Sequence, residues 1–525
     1  MGIKINSSQC RELLKEHGFM VPEYDREEMI KNTEKSPCWI HFGSGNIFRA
    51  FIAVAADDLI SSGLMNCGII AAESYDFEII DRVYKPFDNR FISVTLNADS
   101  AADYRLVDSV AFALKADRKS PDFEKLRGFF CEDSLRMVSL TVTEKAYSTS
   151  GIEDEISGGP EKAVSLMPML ALLLYERYVK SGAPLTLVSM DNCSHNGEKL
   201  QNGVMAVAEK WAELGFVPAG FIDYLREKVS FPWTMIDKIT PRPSEKVSSS
   251  LSEMGIEGMS PIITSKNTYI APFVNAEKTQ YLVVEDDFAN GRPLLEKAGI
   301  YFTDRKTVNK TETMKVTTCL NPLHTALAVF GCILGYTSIS DAVSDPDLKR
   351  LITVLGYDEG MPVVTSPGII SPEKFIDEVV NERLPNPYIP DTPQRIATDT
   401  SKKMSVRYGE TIKSYNRKYG SAERLNAIPL IIAGWLRYLL ALDDNMKEMT
   451  LSPDPELERL QRELEALRPG VPESVGDDIL ELLRDESIFG CDLVKSGLSD
   501  KIIMNLKQML AGPGAVRKTL SSFMC

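Results

Sequence analysis

Two hydrophobic textures alternate through the first half of the chain. Cys38–Phe42, Gly68–Ala72, Phe91–Leu96, Met137–Val142 and Leu185–Met190 are short, nearly continuous apolar runs. They are too short for helices and apolar on both faces, so they read as buried strands. Between the later runs, and from Arg49 to Ser61, apolar residues recur at helical spacing. Strands alternating with helices imply a parallel sheet of the α/β class. Past Asp237 the texture changes: Gln280–Val284 is one more strand, and from about Thr311 long helical patterns dominate, joined by a proline-rich connector at Leu384–Pro393. The expected organisation is a helical extension over 1–37, an α/β domain over 38–285 and a mostly α-helical domain over 286–525. The apolar stretches Ala163–Tyr175 and Ala427–Leu442 fall short of the ~20 residues that cross a bilayer and read as core helices. Glu456–Leu467 is charged at helical spacing and reads as a solvated helix face.

Composition narrows the function classes. The chain has 525 residues, 59 basic and 74 acidic side chains, and a formal charge of −15. Its apolar fraction suits a folded protein of two to four domains at ~100–200 residues each. The acidic balance argues against nucleic-acid or anionic-membrane partners and requires any anion site to carry its own local cations. The nine cysteines (10, 38, 67, 131, 193, 319, 332, 491 and 525) never form CxxC, and the four histidines are widely spaced. That pattern suits a reducing, cytoplasmic setting, with no metal cluster and no disulfide framework. The stretch Met1–Phe19 lacks the apolar core of a secretory signal, and its Met-Gly start fits a lipidation pattern only loosely.

The first strand runs directly into Gly43-Ser-Gly45-Asn46-Ile47-Phe48-Arg49. Strand, Gly-x-Gly, helix is how a dinucleotide-binding unit begins: Gly43 permits the tight turn, and Gly45 lets the backbone approach a pyrophosphate at the positive helix N-terminus. Phe48 stands where a third glycine is usual. Glu73, ending the next strand, can accept the ribose hydroxyls of an adenosine and would repel a 2′-phosphate, favouring NAD over NADP. The α/β domain therefore reads as a Rossmann-like NAD-binding domain.

A second constellation is Glu312-Thr-Met-Lys315, Asn321 and His324, followed by the apolar helix Ala326–Leu334. Asn321 and His324 are three apart and share a helix face. A dehydrogenase without metal needs a group to take the alcohol proton as hydride leaves; a lysine with a lowered pKa suits this, and amides can hold the developing alkoxide.

These pieces resemble the polyol-specific long-chain dehydrogenases, the mannitol dehydrogenase family, from about Ile40 to beyond Arg407. Six motifs fall in order: Gly43–Arg49, Leu140–Tyr147, Ser189–Gly197, Phe231–Pro241, Val284–Pro293 and Asp399–Arg407. The resemblance implies a metal-independent mechanism. Lys315 would be the catalytic acid/base, Asn192 and Asn321 the amides around the reacting oxygen, and Glu312 a proton-relay carboxylate. His324, Asp237 and Lys403 would face the substrate, with Arg395 where the family can place a substrate-binding arginine; Arg407 is a further candidate cation for a substrate carboxylate. Gly43, Gly45, Asn46, Ile47, Glu73 and Thr143 would serve the cofactor, NAD. The spacing from lysine to asparagine and histidine is one longer than the family's. On a regular helix nine residues turn ~900°, which sets Lys315 and His324 on opposite faces. Either a π-bulge absorbs the extra residue or Asn321 caps a new helix with Pro322 at its first position.

Within the family, Ile47-Phe-Arg-Ala-Phe51 and Asn386-Pro-Tyr-Ile389 look more like uronate reductases than mannitol enzymes. The resemblance therefore implies NADH-dependent reduction of the sugar acid D-fructuronate to D-mannonate, with Arg395, Lys403 or Arg407 meeting the carboxylate. Alternatives are tagaturonate reductase, mannitol or arabinitol dehydrogenase, an NAD-using uronate epimerase, and a non-catalytic scaffold. The sequence leaves monomer and dimer open.

Overall fold

The computed structural model describes residues 2–99 and 101–523; Cys525 lies outside them. The chain divides into two compact units, Met1–Asn309 and Lys310–Cys525.

The first unit is built on six strands: β1 (Trp39–Phe42), β2 (Ile69–Glu73), β3 (Val110–Lys115), β4 (Met137–Leu140), β5 (Leu185–Ser189) and β6 (Val229–Ser230). Every neighbouring pair is parallel, and the order across the sheet is β3-β2-β1-β4-β5-β6. This is the doubly wound order of a Rossmann sheet. Alternate residues feed two separate cores. Ile40, Phe42, Ile70, Val138, Leu140 and Leu187 join the helices Asp122–Phe130, Leu166–Lys180, Asn196–Glu213 and Ala219–Lys228. Trp39, Ile69, Ala71, Met137 and Val188 join the helix Ala53–Ser61. Because both faces are covered, each strand reads in sequence as a continuous apolar run.

Phe91–Leu96 departs from the expectation. It lies outside the main sheet, between Phe273–Glu277 and an antiparallel partner, Ala102–Val107. The third strand of the main sheet is instead Val110–Lys115, a run of five apolar residues ending in lysine. The texture change near residue 286 precedes the division at Asn309 because Tyr281–Glu285 pairs with both Tyr301–Thr303 and Thr234–Asp237 inside the first unit.

The N-terminal segment is tied in by ions. Asp108 is fully buried. It accepts Arg11 Nη2 at 2.6 Å, Arg26 Nε at 2.5 Å and Arg90 Nε at 2.9 Å. Arg90 also donates to the Ile5 carbonyl, and Tyr24 donates to buried Asp57 at 2.7 Å. One carboxylate thus collects guanidinium groups from both helices of the preface, Cys10–Glu16 and Arg26–Lys35.

The cysteines also depart from the expectation of no disulfide: Cys38 and Cys67 are joined. They precede β1 and β2, whose register pairs Ile40 with Ile70. Strand pairing, not sequence spacing, brings them together.

The second unit is helical, with four wide π turns at Lys315–Cys319, Val354–Gly360, Val379–Arg383 and Ser405–Gly409. Its centre is formed by Asn321–Leu334 and Ala427–Tyr438, packed on each other. The helical path Arg305–Leu334 is long and apolar enough to cross a bilayer, but 78% of its most apolar stretch is buried within the protein, as in a core helix.

Replacing Asp108 with Asn leaves three arginines around a neutral group, and breaking a buried ion pair in this way costs ~3–5 kcal/mol. Urea unfolding of D108N should show that loss, together with faster proteolysis within residues 2–37. A midpoint equal to that of the parent protein would refute the anchoring role.

Candidate active site

At the end of β1 the chain turns at Gly43, whose φ is +97°. A Cβ there would lie 2.0 Å from the Thr141 carbonyl oxygen, so both conformation and space require glycine. At Gly45 a Cβ would meet nothing within 4 Å. The backbone there faces open space, as close approach of a pyrophosphate needs. The neighbouring Ser44 is pinned on both sides: its N–H donates to Glu73 Oε2 at 2.9 Å, and its carbonyl accepts Tyr84 OH at 2.9 Å. Its own Oγ is buried, with no hydrogen-bond partner among the described residues.

The helix that begins at Asn46 widens into a π turn at Phe48–Ile52. Phe48, in the third-glycine position, is fully buried and stacks on His41 with ring centroids 4.2 Å apart. Its bulk replaces the close helix–strand contact that a glycine would allow. His41 is a core histidine: its ring nitrogens meet Ser139 and Thr141 hydroxyls, and burial holds its pKa down to about 3.

Glu73 is buried, and its carboxylate also accepts the amides of Tyr75 and Asp76. With about four acceptor sites on a carboxylate, three backbone bonds leave room for about one ribose hydroxyl. Its first role is to join the end of β2 to the glycine turn.

Two more motifs follow the next strands. Thr143 is exposed in the loop after β4. Asn192 is exposed after β5, directly following buried Asp191. Asp191 accepts the Val142 amide at 2.7 Å and the Tyr147 hydroxyl, and so cross-links the two loops. Asn196 donates to the Asp191 carbonyl at 2.9 Å and to Thr234 Oγ1 at 2.8 Å. A Cβ on Gly197 would lie 2.5 Å from the Pro232 carbonyl, so the Ser189–Gly197 and Phe231–Pro241 motifs interlock there. Glu73, the Gly43–Asn46 turn, Thr143 and Asn192 thus lie beyond the carboxyl ends of four adjacent strands, β2, β1, β4 and β5. This edge, where the strand order reverses, is where doubly wound sheets bind ligands. Ile47 packs on the core below it. Asp237 is buried and belongs to a different sheet, opposite Tyr281.

In the second unit the extra residue before Asn321 is absorbed at a break. Leu320 N–H bonds to the Lys315 carbonyl, closing a π turn. Leu320 itself leaves helical geometry at φ −131°, ψ −64°, and a new helix starts at Asn321 with Pro322 in its first turn. Both proposed devices are therefore present in part, although Leu320 rather than Asn321 occupies the cap position. The widened turn and the break at Leu320 together change the angular advance between Lys315 and His324 from the half-turn offset of a regular helix. Lys315 is buried, and Glu312 stands three residues before it in the helix Arg305–Met314.

Around His324 the charges converge. Nε2 lies 3.3 Å from Asp391 Oδ2 but off the hydrogen-bonding direction, so among the described residues this buried nitrogen has no hydrogen-bond partner. Burial first, then the charges of Arg407, Arg395, Arg383 and Lys403, hold its pKa down to about 3. Arg395 is bound to Asp391 and 60% exposed. Arg407 donates to the Thr325 hydroxyl beside His324. Lys403 donates to the Ile396 and Thr398 carbonyls, and burial and Arg407 lower its pKa to about 8. The structure thus gathers His324, Arg395, Lys403 and Arg407. It adds two residues that sequence reasoning missed. Asp391 lay in a segment read as a connector, though its position four before Arg395 was a signal. Buried Arg383 had none.

A doubly wound domain with a glycine turn at this edge, followed in the chain by a helical unit carrying a buried lysine, is the arrangement of a dinucleotide-binding enzyme. Residues 38–297 match the family model of the mannitol dehydrogenase Rossmann domain, and 307–510 match that of the mannitol dehydrogenase C-terminal domain. The chain belongs to the mannitol dehydrogenase family, oxidoreductases acting on the CH–OH group of a polyol or sugar acid. D-mannonate oxidoreductase of Thermotoga maritima is 49% identical over 96% of this chain and 95% of its own length. Among solved structures, D-sorbitol dehydrogenase in substrate-free form shares the fold at TM-score 0.79 and 23% identity, covering 96% of this chain and 97% of that one. The ternary complex of Pseudomonas fluorescens mannitol 2-dehydrogenase with NAD and D-mannitol does so at 0.67 and 24%, covering 96% of both chains.

Burial pushes the Asp191 carboxyl up to about 7, against the opposing bonds from Tyr147 and Val142. A raised carboxyl binds its proton more tightly folded than unfolded. Its contribution to stability is full below about pH 4 and is lost as pH rises through about 7. D191N removes that proton. Its unfolding free energy should fall less steeply across that window, by up to ~1.4 kcal/mol per pH unit. Identical slopes in the two proteins would rule this out.

Proposed function

We propose that this chain interconverts D-fructuronate and D-mannonate with NADH and NAD. The observation that carries this is His324. Its buried Nε2 lacks a hydrogen-bond partner among the described residues, and the charges of Arg383, Arg395, Lys403 and Arg407 act on it. A sugar hydroxyl satisfies the first feature and a carboxylate the second. The name of the Thermotoga maritima relative agrees with that chemistry.

The residues fit the cofactor: open space at Gly45, an orphaned hydroxyl at Ser44 and a remaining acceptor site on Glu73. Gly43, Gly45 and Asn46 would hold the pyrophosphate, Glu73 the adenosine ribose, and Ile47 and Thr143 would flank them. When bound, NADH supplies the hydride that reduces the C5 carbonyl of the keto acid. Lys315, protonated in this direction, gives its proton to the C5 oxygen, and Glu312 relays a proton back to the lysine. The amides of Asn192 and Asn321 donate to that oxygen as negative charge develops. His324 and Asp237 bind hydroxyls, and Arg395, Lys403 and Arg407 serve the carboxylate. Lysine moves the proton without a metal ion.

NADH oxidation assayed with fructuronate, tagaturonate and fructose should show the highest kcat/KM for fructuronate. A preference for fructose would replace the uronate reading with a polyol one, and turnover without net NADH consumption would replace it with epimerisation. Lys315→Ala should lower kcat by ~10²–10⁴-fold, the usual worth of a general acid; unchanged kcat would remove Lys315 from the mechanism.

A further inference from the structure

A chain of charge −15 that binds a dinucleotide must offset its own long-range field near the pyrophosphate. We propose that Arg49 does this: it is a buried positioning residue that presents both a fixed positive charge and the donor end of Asn46 to the pyrophosphate. The proposal rests on reading Gly43–Asn46 as the pyrophosphate turn.

Arg49 lies one helical turn beyond Gly45, whose carbonyl accepts its N–H at 3.2 Å, and its side chain is fully buried. Nη1 donates to the Ala271 carbonyl at 2.6 Å. Nη2 donates to Asn46 Oδ1 at 2.8 Å and, more weakly, to the Phe273 carbonyl at 3.4 Å. Nε has no partner. Every acceptor is neutral, and among the described residues no carboxylate pairs with this guanidinium. Another buried arginine shows what a purely structural role looks like. Arg177 spends Nε and both Nη groups on five carbonyls of surrounding loops. Arg49 leaves one donor unused and spends another on a side chain of the glycine turn.

The bond to Asn46 has a directional consequence. With Oδ1 committed to the guanidinium, the amide cannot flip, because its NH₂ end would then face N–H donors. The NH₂ end, the one an anion requires, is kept turned away from Arg49. The guanidinium charge adds to the positive end of the helix that starts at Asn46. Burial keeps that charge from being screened by salt.

Calorimetric binding of ADP-ribose and of adenosine separates this from a merely structural role, since only ADP-ribose carries the pyrophosphate. The parent protein should bind ADP-ribose more tightly than adenosine. R49M should cut that ratio about tenfold with adenosine affinity unchanged, and R49K should restore part of it. If R49M does not fold, R49K alone provides the second arm: it keeps the charge but not the two-pronged hold on Asn46 Oδ1 and the Ala271 carbonyl, and should lower the ratio in part. Equal losses for both ligands, or an unchanged ratio in the variants, would overturn the role of Arg49 alone. Failure of the parent protein to bind either ligand would overturn the cofactor reading beneath it.

Discussion

The absence of a side chain at Gly43 is the constraint on which the nucleotide edge depends. Only there can the exit of β1 pass within contact of the Thr141 carbonyl that follows β4. That approach fixes the backbone of Ser44, and Glu73 and Tyr84 then grip its amide and carbonyl. Any Cβ at position 43 would push the two strand exits apart, and the loops after β2, β1 and β4 would lose their common edge. The chemistry is thus prepared by a steric condition before any charged group takes part.

The second unit solves a different problem. A lysine and a histidine nine positions apart cannot share a face of a regular helix. The wide turn at Lys315–Cys319 and the break at Leu320 change the angular advance where it is needed, and the apolar helix Asn321–Leu334 continues undisturbed into the core. The turn at Ser405–Gly409, which carries Arg407, packs against Lys315–Cys319. Wide turns expose backbone and reposition side chains, which is why they recur at functional sites.

Much of this was legible in the sequence because the signals are local. The strand runs preceding Gly43, Glu73 and Asn192, the glycine turn and the lysine segment are all encoded within a few residues. What stayed hidden depends on pairing between distant segments. Val110–Lys115 and Phe91–Leu96 are both short apolar runs, and only long-range pairing assigns the first to the main sheet and the second to another. The Cys38–Cys67 link follows from the register of β1 and β2. The union of Arg11, Arg26 and Arg90 on Asp108 requires four separate segments to meet. Asp391 and Arg383 gain meaning only from the fold that sets them near His324.

The β1–β2 pair has one further property. It is tied covalently at its amino ends, through Cys38 and Cys67, and by a carboxylate at its carboxyl ends, through Glu73 and Ser44. A strand pair held at a single end can still slip, and a slip of one residue turns every side chain to the opposite face. Held at both ends, this pair has one register available, and the two hydrophobic cores that read its alternate residues inherit that choice.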